Sequence, residues 1–360
     1  MKKRITASPL LWPVLALLGL LVLNVVLTPN FLSLRVEDGH LYGSVIDILR
    51  NGAPTMLVAL GMTLVIASRG IDLSVGAVVA ISGALACAHI ASADNPNSPA
   101  TIVTATAMAL GAAVALGLWN GMLVSVFRIQ PIIATLVLMT AGRGIALLIT
   151  GGQIVTIDSD RFKTLGAGYV FGLPMAILVS LSVFAVAGLV IRRSALGMLL
   201  ESVGVNPQAS RLAGVRHRSI VFAVYVFCAL CAGIAGLMIA SNISAADANN
   251  AGLWIEMDAI LAVVIGGTSL AGGRFSLTGT ILGALIIQTL TTTVYTAGIT
   301  PEATLVFKAV VVIAVCLMQA PKFRQLLQRR RRPATPTDNT SGPVAADPSP
   351  APHTDKVSAS

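Results

Sequence analysis

Charge is what this chain is short of. Of its 360 residues only 11% are Asp, Glu, Lys or Arg, against 55% apolar, where a soluble domain carries roughly 25% charged residues. A water-soluble globule is thereby excluded. Histidine is almost as scarce, and His40, His89, His217 and His353 are too scattered to suggest a metal site. The four cysteines (Cys87, Cys228, Cys231, Cys316) all lie in or beside apolar runs, so nothing suggests a disulfide framework. Cys228-x-x-Cys231 has redox-motif spacing but sits in an apolar segment, where it reads as packing. No phosphate-cradling Gly-x-x-x-x-Gly-Lys-Ser/Thr is present. The nearest approach, Gly266-Gly-Thr-Ser-Leu-Ala-Gly-Gly-Arg274, lacks the lysine and follows an apolar helix. Carboxylates in the middle of apolar runs, which proton- or ion-coupled carriers use, are missing as well.

What is abundant is greasy helix. A membrane span needs about 20 apolar residues, and the apolar inventory stocks roughly ten. A window of about 19 residues places them near 10–28, 50–68, 73–92, 101–127, 131–150, 173–191, 219–241, 257–271, 276–297 and 303–320. The eighth is short and glycine-rich, and the fourth is long enough to tilt or break. Met1-Lys-Lys-Arg4 ahead of the first run resembles a signal peptide. No Ala-x-Ala site follows before Phe31, however, so the run reads as an uncleaved first span. The fold class expected is all-α, a polytopic transmembrane helical bundle.

The formal charge of +9 does not point to nucleic acid, because the basic residues sit in short loops and at the termini. With a cytoplasmic N-terminus and ten spans, the inner side holds Lys2, Lys3, Arg4, Arg69, Arg128, Arg192, Arg193, Arg211, Arg216, Arg218, Arg274, Lys322, Arg324, Arg329 to Arg332 and Lys356, 18 of the 24 Lys and Arg residues. Only Arg35, Arg50, Arg161 and Lys163 fall outside, a strong positive-inside bias. Both termini are therefore expected in the cytoplasm. Residues 1–328 form the transmembrane domain in this reading. From Arg329 the composition turns to Pro, Ser, Thr and Ala, so 329–360 is expected to be a disordered cytoplasmic tail.

The loop 192–218 is the longest inner one. Asn206-Pro207 is a helix start and Gly214 a helix stop, which frames a short helix with Ala209, Leu212 and Ala213 on one side. Such a ridge is either a knob for a groove in another protein or a plain connection. Together with Gly61-Met-Thr-Leu-Val-Ile-Ala67, Gly70-Ile-Asp-Leu-Ser-Val-Gly76, Trp119-Asn-Gly121, Gln130-Pro131, Ala134-Thr-Leu136 and Ile260-Leu-Ala-Val-Val-Ile-Gly-Gly267, this segment resembles the sugar ABC-transporter permeases of the ribose, arabinose and galactose group. Within the group, Asp247-Ala-Asn-Asn-Ala-Gly-Leu-Trp254 and the following Glu256-x-Asp258 are most similar to the galactofuranose type.

That resemblance implies a multi-pass subunit of the cell inner membrane with no enzymatic activity of its own. It also implies two ABC ATPase domains or subunits that use the ATP, a periplasmic sugar-binding protein and a second permease chain, identical or a sister. This chain would bind no cofactor. The coupling loop would offer Gly197, Glu201, Gly204, Asn206, Pro207, Ala209, Arg211, Leu212, Ala213 and Gly214 to the ATPase. A secondary sugar carrier or passive channel is the alternative, and a membrane-embedded enzyme a third reading, with 247–258 as its only acidic cluster.

Nine further residues are candidates for the sugar path or for docking the binding protein. Asp72 is either a helix N-cap or an interior contact near a gate. Asn120, Gln130 and Thr135 either bond helix to helix or line the path. Arg143, between Gly142 and Gly144, suggests a bend where backbone carbonyls or a water-filled cavity receive the charge. Asp247, Asn249 and Asn250 suit sugar hydroxyls, a docking surface or a solvated loop. Trp254 suits a sugar face or an interfacial belt. Lys308 is expected to snorkel, and Pro54, Pro131 and Pro174 to open spans.

Overall fold

The computed structural model describes residues 10–313 apart from Pro29, Asp38, Ile299, Pro301, Glu302, Thr304, Val311 and Val312. The basic Met1–Arg4 segment, the tail 329–360 and most of the tenth expected span lie outside them. Of that span, 303, 305–310 and 313 are helical.

Among the described residues six helices are long and apolar enough to cross a membrane. They are α2 (Ser44–Ala67), α4 (Pro99–Ser125), α5 (Pro131–Thr150), α7 (Met175–Arg193), α10 (His217–Ile243) and α12 (Leu277–Thr296). Helices α1 (Leu11–Leu27) and α3 (Val75–Ala91) occupy the first and third expected spans but are shorter, at 17 residues each. Helix α4 runs 27 residues unbroken. The eighth expected span is cut to α11 (Ile255–Ile265), because Gly266 packs directly on the backbone of Gly279 and the chain turns there.

Among the described residues, three two-stranded ribbons add a little β-structure to the helical fold. β1 (Arg35–Glu37) pairs with β2 (His40–Tyr42), Val36 opposite Leu41. β3 (Val155–Thr156) pairs with β6 (Ala245–Ala246), Val155 opposite Ala246. β4 (Tyr169–Val170) pairs with β5 (Leu173–Pro174). A short helix, α6 (Asp160–Ala167), is capped by Ser159 Oγ, which accepts from Phe162 N.

Two helices form the centre. Helix α2 is buried along most of its length, and α10 packs along α2, α3 and α4. The backbones come close because the contacts are small: Gly61 lies on Cys228, and Gly117 on Val226 and Ala229. Apolar helices in lipid gain little from hydrophobicity against one another, so close backbone contact and interhelical hydrogen bonds hold them. Two such bonds are Thr63–Thr280 between α2 and α12 and Asn24 Nδ2 to Thr293 Oγ1 between α1 and α12, both 2.7 Å. Helices α4, α5 and α7 by contrast leave broad apolar faces exposed, as a lipid-facing helix does.

One proline expectation changes. Pro131 and Pro174 stand at helix starts, but Pro54 lies ten residues inside α2. The polar first turns of α2, where Asp47 pairs with Arg50 at 3.8 Å, hide the true start from a hydropathy window.

Candidate functional site

The inner loop of the sequence reading folds as two helices, α8 (Leu196–Val205) and α9 (Pro207–Leu212), hinged at Asn206. Asn206 Oδ1 accepts from the amides of Gln208 and Ala209 at 3.1 and 3.0 Å, and Pro207 takes the first position of α9. These are the capping groups that end-of-helix amides require. Gly214, at φ +82, closes the turn as expected. Leu212 projects with 90% of its surface exposed, flanked by exposed Arg211 and Ala213.

The base of this pair is fastened to the core. Gly204 packs on the carbonyl oxygen of Ala67, the last residue of α2, and on the backbone of Gly273. The Gly273 amide donates to that Ala67 carbonyl at 2.9 Å, and Arg69 donates to Val205 O at 2.6 Å. Leu200, Val203 and Gly204 are buried. Gly197 packs on Ile191, while Glu201 stands half-buried on α8.

A polar knot fills the turn between α2 and α3. Asp72, 1% exposed, accepts from the amide and the hydroxyl of Ser74 at 2.9 and 2.6 Å. Asn120 Nδ2 on α4 donates to Ser74 Oγ at 2.8 Å. Thr135 Oγ1 on α5 donates to Pro131 O and, at 3.4 Å, to Ile71 O. Cys228 of α10 adjoins Asp72. Asp72 is thus a turn group that braces Ser74, the N-cap of α3, and not the cap itself. Gln130 takes no part; it is exposed at the start of α5.

The segment 247–258 forms a second cluster. It folds back along α3, so that Gly252 touches Gly76 and Val79, and Glu256, only 3% exposed, lies against Gly76. Arg143 donates to the carbonyls of Ala248 and Ala251 at 3.0 and 2.6 Å and is attracted to Glu256 and Asp247. The carbonyls receive the charge as expected. Helix α5 is uninterrupted through Arg143, and Gly142 admits Ala77 of α3.

Asp247 makes a tight turn, accepting from Asn249 N, Asn250 N and Asn250 Nδ2. The Asn250 side chain leads the contacts that hold its carboxyl below the usual carboxylate range. Asp247 and Asn250 line a hollow of about 330 Å³ together with Thr55, Asp258 and the apolar Ile239 and Ile255. Asn249 and Trp254 do not line it; both are exposed, and Trp254 sits at φ +64 before α11. Lys308 pairs with Asp258 at 2.7 Å.

Four participants escaped the sequence reading: Arg69, Ser74, Glu256 as a buried group, and Asp258 as the partner of Lys308. Ser74, Glu256 and Asp258 lay in quoted motifs. Their contacts carry no local signal, because each acts across more than forty residues of chain.

Comparison with known proteins places these features. The family model described as branched-chain amino acid transport system / permease component matches residues 44–316. A galactofuranose transporter permease protein of Escherichia coli (strain K12) is 48% identical over 322 residues, covering 88% of this chain and 93% of that protein. A fructose import permease protein of Bifidobacterium longum (strain NCC 2705) is 39% identical, covering 92% and 93%. A ribose import permease protein of E. coli K12 is 36% identical, covering 86% and 92%. No solved structure matches the chain.

Proposed function

Since the chain belongs to the family of branched-chain amino acid transport system / permease components, we propose that it is the permease subunit of an ATP-driven importer of a monosaccharide. The similar proteins named above import galactofuranose, fructose and ribose, which favours a sugar over an amino acid as cargo. The 48% identity favours the galactofuranose type.

The observation that carries the reading is the fastening of α8 and α9 to the end of α2. An exposed apolar ridge at Leu212 stands on a base wedged between Ala67 and Gly273. A pull on α9 therefore reaches a helix buried along most of its length through a close backbone contact. In this reading the chain makes ten spans of the inner membrane with both termini in the cytoplasm, and the ridge faces the cytoplasm. There two ATPase domains or subunits hold it; the chain itself binds no cofactor.

The cycle is alternating access between two permease chains. A loaded periplasmic binding protein docks over the 240–258 and 151–172 segments. ATP-driven closure of the ATPases moves α9, then α8, then α2 and α3. Sugar hydroxyls are offered both donors and acceptors by Thr55, Asp247 and Asn250. Reconstitution tests the reading: vesicles holding the chain, its ATPase and its binding protein take up sugar with ATP. Undiminished uptake without ATP or without the ATPase defeats it and leaves a carrier or channel.

A further inference from the structure

One side of the bundle carries a site unrelated to sugar. Helices α7, α8 and α10 enclose a groove of about 510 Å³, within the range of roughly 300–1,000 Å³ typical of sites that bury a small ligand. Its walls are hydrocarbon: Val186, Val190, Leu196, Phe227 and Ile234 face it. Among the described residues Ser182 is the one hydroxyl on its lining, and it is already spent on its own helix, donating to Leu178 O at 2.7 Å. A sugar there would leave its hydroxyls unpaired. An alkyl chain would not.

The groove continues into a second hollow of about 530 Å³, sharing Leu196, Ile220 and Ala223, where Arg216 enters the lining. Arg192 and Arg193 follow directly on Val190 and Ile191 of the groove wall, and Arg218 precedes Ile220. All four guanidiniums belong to exposed residues, and among the described residues none forms an ion pair. An apolar slot whose wall helix ends in Arg192 and Arg193, and whose continuation is lined by Arg216, has the makings of a site for an anionic phospholipid.

We propose that this groove binds the acyl chain of an anionic phospholipid, with its phosphate held by Arg192, Arg193 and Arg216. Basic pockets between membrane helices select such headgroups. A second copy of the chain fits the groove less well. In a symmetric contact the same patch faces itself, and unpaired arginines would oppose unpaired arginines. The proposal requires only that α7 and α10 lie in a bilayer, so it stands or falls apart from the sugar reading.

The test uses the full chain in mild detergent, equilibrated with equal amounts of phosphatidylglycerol and phosphatidylcholine, and counts retained lipid by native mass spectrometry. Wild type is expected to retain phosphatidylglycerol at least tenfold over phosphatidylcholine. Arg192→Gln, Arg193→Gln and Arg216→Gln each lower that preference, by roughly fivefold. Ala223→Trp, which fills the junction of the two hollows, removes retention of both lipids. Equal retention of the two lipids by wild type overturns the proposal, and this comparison does not depend on any variant folding. So does a preference that survives Ala223→Trp, displacement by millimolar glycerol phosphate, or a lipid-free dimer.

Discussion

Arg69 donates its guanidinium to the backbone carbonyl of Val205 at 2.6 Å, across 136 residues of chain. Beside that bond Gly204 rests on the carbonyl of Ala67. A methyl group at Gly204 collides with backbone on two sides, and backbone does not move aside as a side chain does. Gly204→Ala is therefore expected to lower stability by about 1–3 kcal/mol, as overpacking does. It should also cut ATP-driven uptake at least tenfold while the ATPase still hydrolyses ATP. Normal uptake at normal protein levels would show that α8 transmits nothing to α2.

Leu212 makes the opposite prediction for stability. It is 90% exposed, and surface substitutions usually stay within about 0.5 kcal/mol. Leu212→Asp, like a charge at Ala209, should leave thermal unfolding of the isolated chain unchanged and abolish co-purification of the ATPase. Retained ATPase at wild-type level moves the docking surface elsewhere.

Arg143 holds the 247–251 turn by two bonds to backbone carbonyls. Hydrogen bonds to charged groups contribute about 1.5–3 kcal/mol each. Arg143→Met is expected to destabilise by at least about 2 kcal/mol and to speed proteolysis within 247–254. Arg143→Lys, with donors but no fork, should recover part of the loss. A turn equally protected in all three proteins would separate Arg143 from it.

Ser74 links Asp72 to Asn120. Removing its hydroxyl leaves the Asn120 amide buried without that partner, at a cost of about 1–3 kcal/mol. A double-mutant cycle of Ser74→Ala with Asn120→Ala should then show a coupling of about 1 kcal/mol. Additive losses would mean the 2.8 Å contact contributes nothing.

The Lys308–Asp258 pair is mostly buried, with side chains 14% and 20% exposed. Breaking one partner of a buried pair costs about 3–5 kcal/mol, whereas replacing both with apolar groups is often neutral. Lys308→Met is expected to be worse than Lys308→Met with Asp258→Leu, measured by thermal unfolding in one detergent. The reverse order would place both groups in water.

Hydropathy located the apolar helices to within a few residues where spans are uniformly greasy, as in α4, α5 and α10. It failed where polar turns precede the grease, in α2, and where glycine packing ends a helix early, in α11. Asn206, Pro207 and Gly214 announced α9 because caps are local: each group bonds within three residues of itself. Asp72, Asn120 and Thr135 were legible as polar groups in apolar surroundings, but not as one cluster with Ser74.

Sequence alone decided that this chain is helical and apolar and that a short helix starts at Asn206-Pro207, since composition, periodicity and caps act over a few neighbouring residues. Only the tertiary structure decided that Gly204 meets Ala67, that Arg143 reaches Ala251, and that Lys308 finds Asp258. Those contacts join residues dozens to more than a hundred positions apart. In a bundle of uniformly apolar helices, pairing is chosen by which small side chains let two backbones approach, and that choice is written in no single segment.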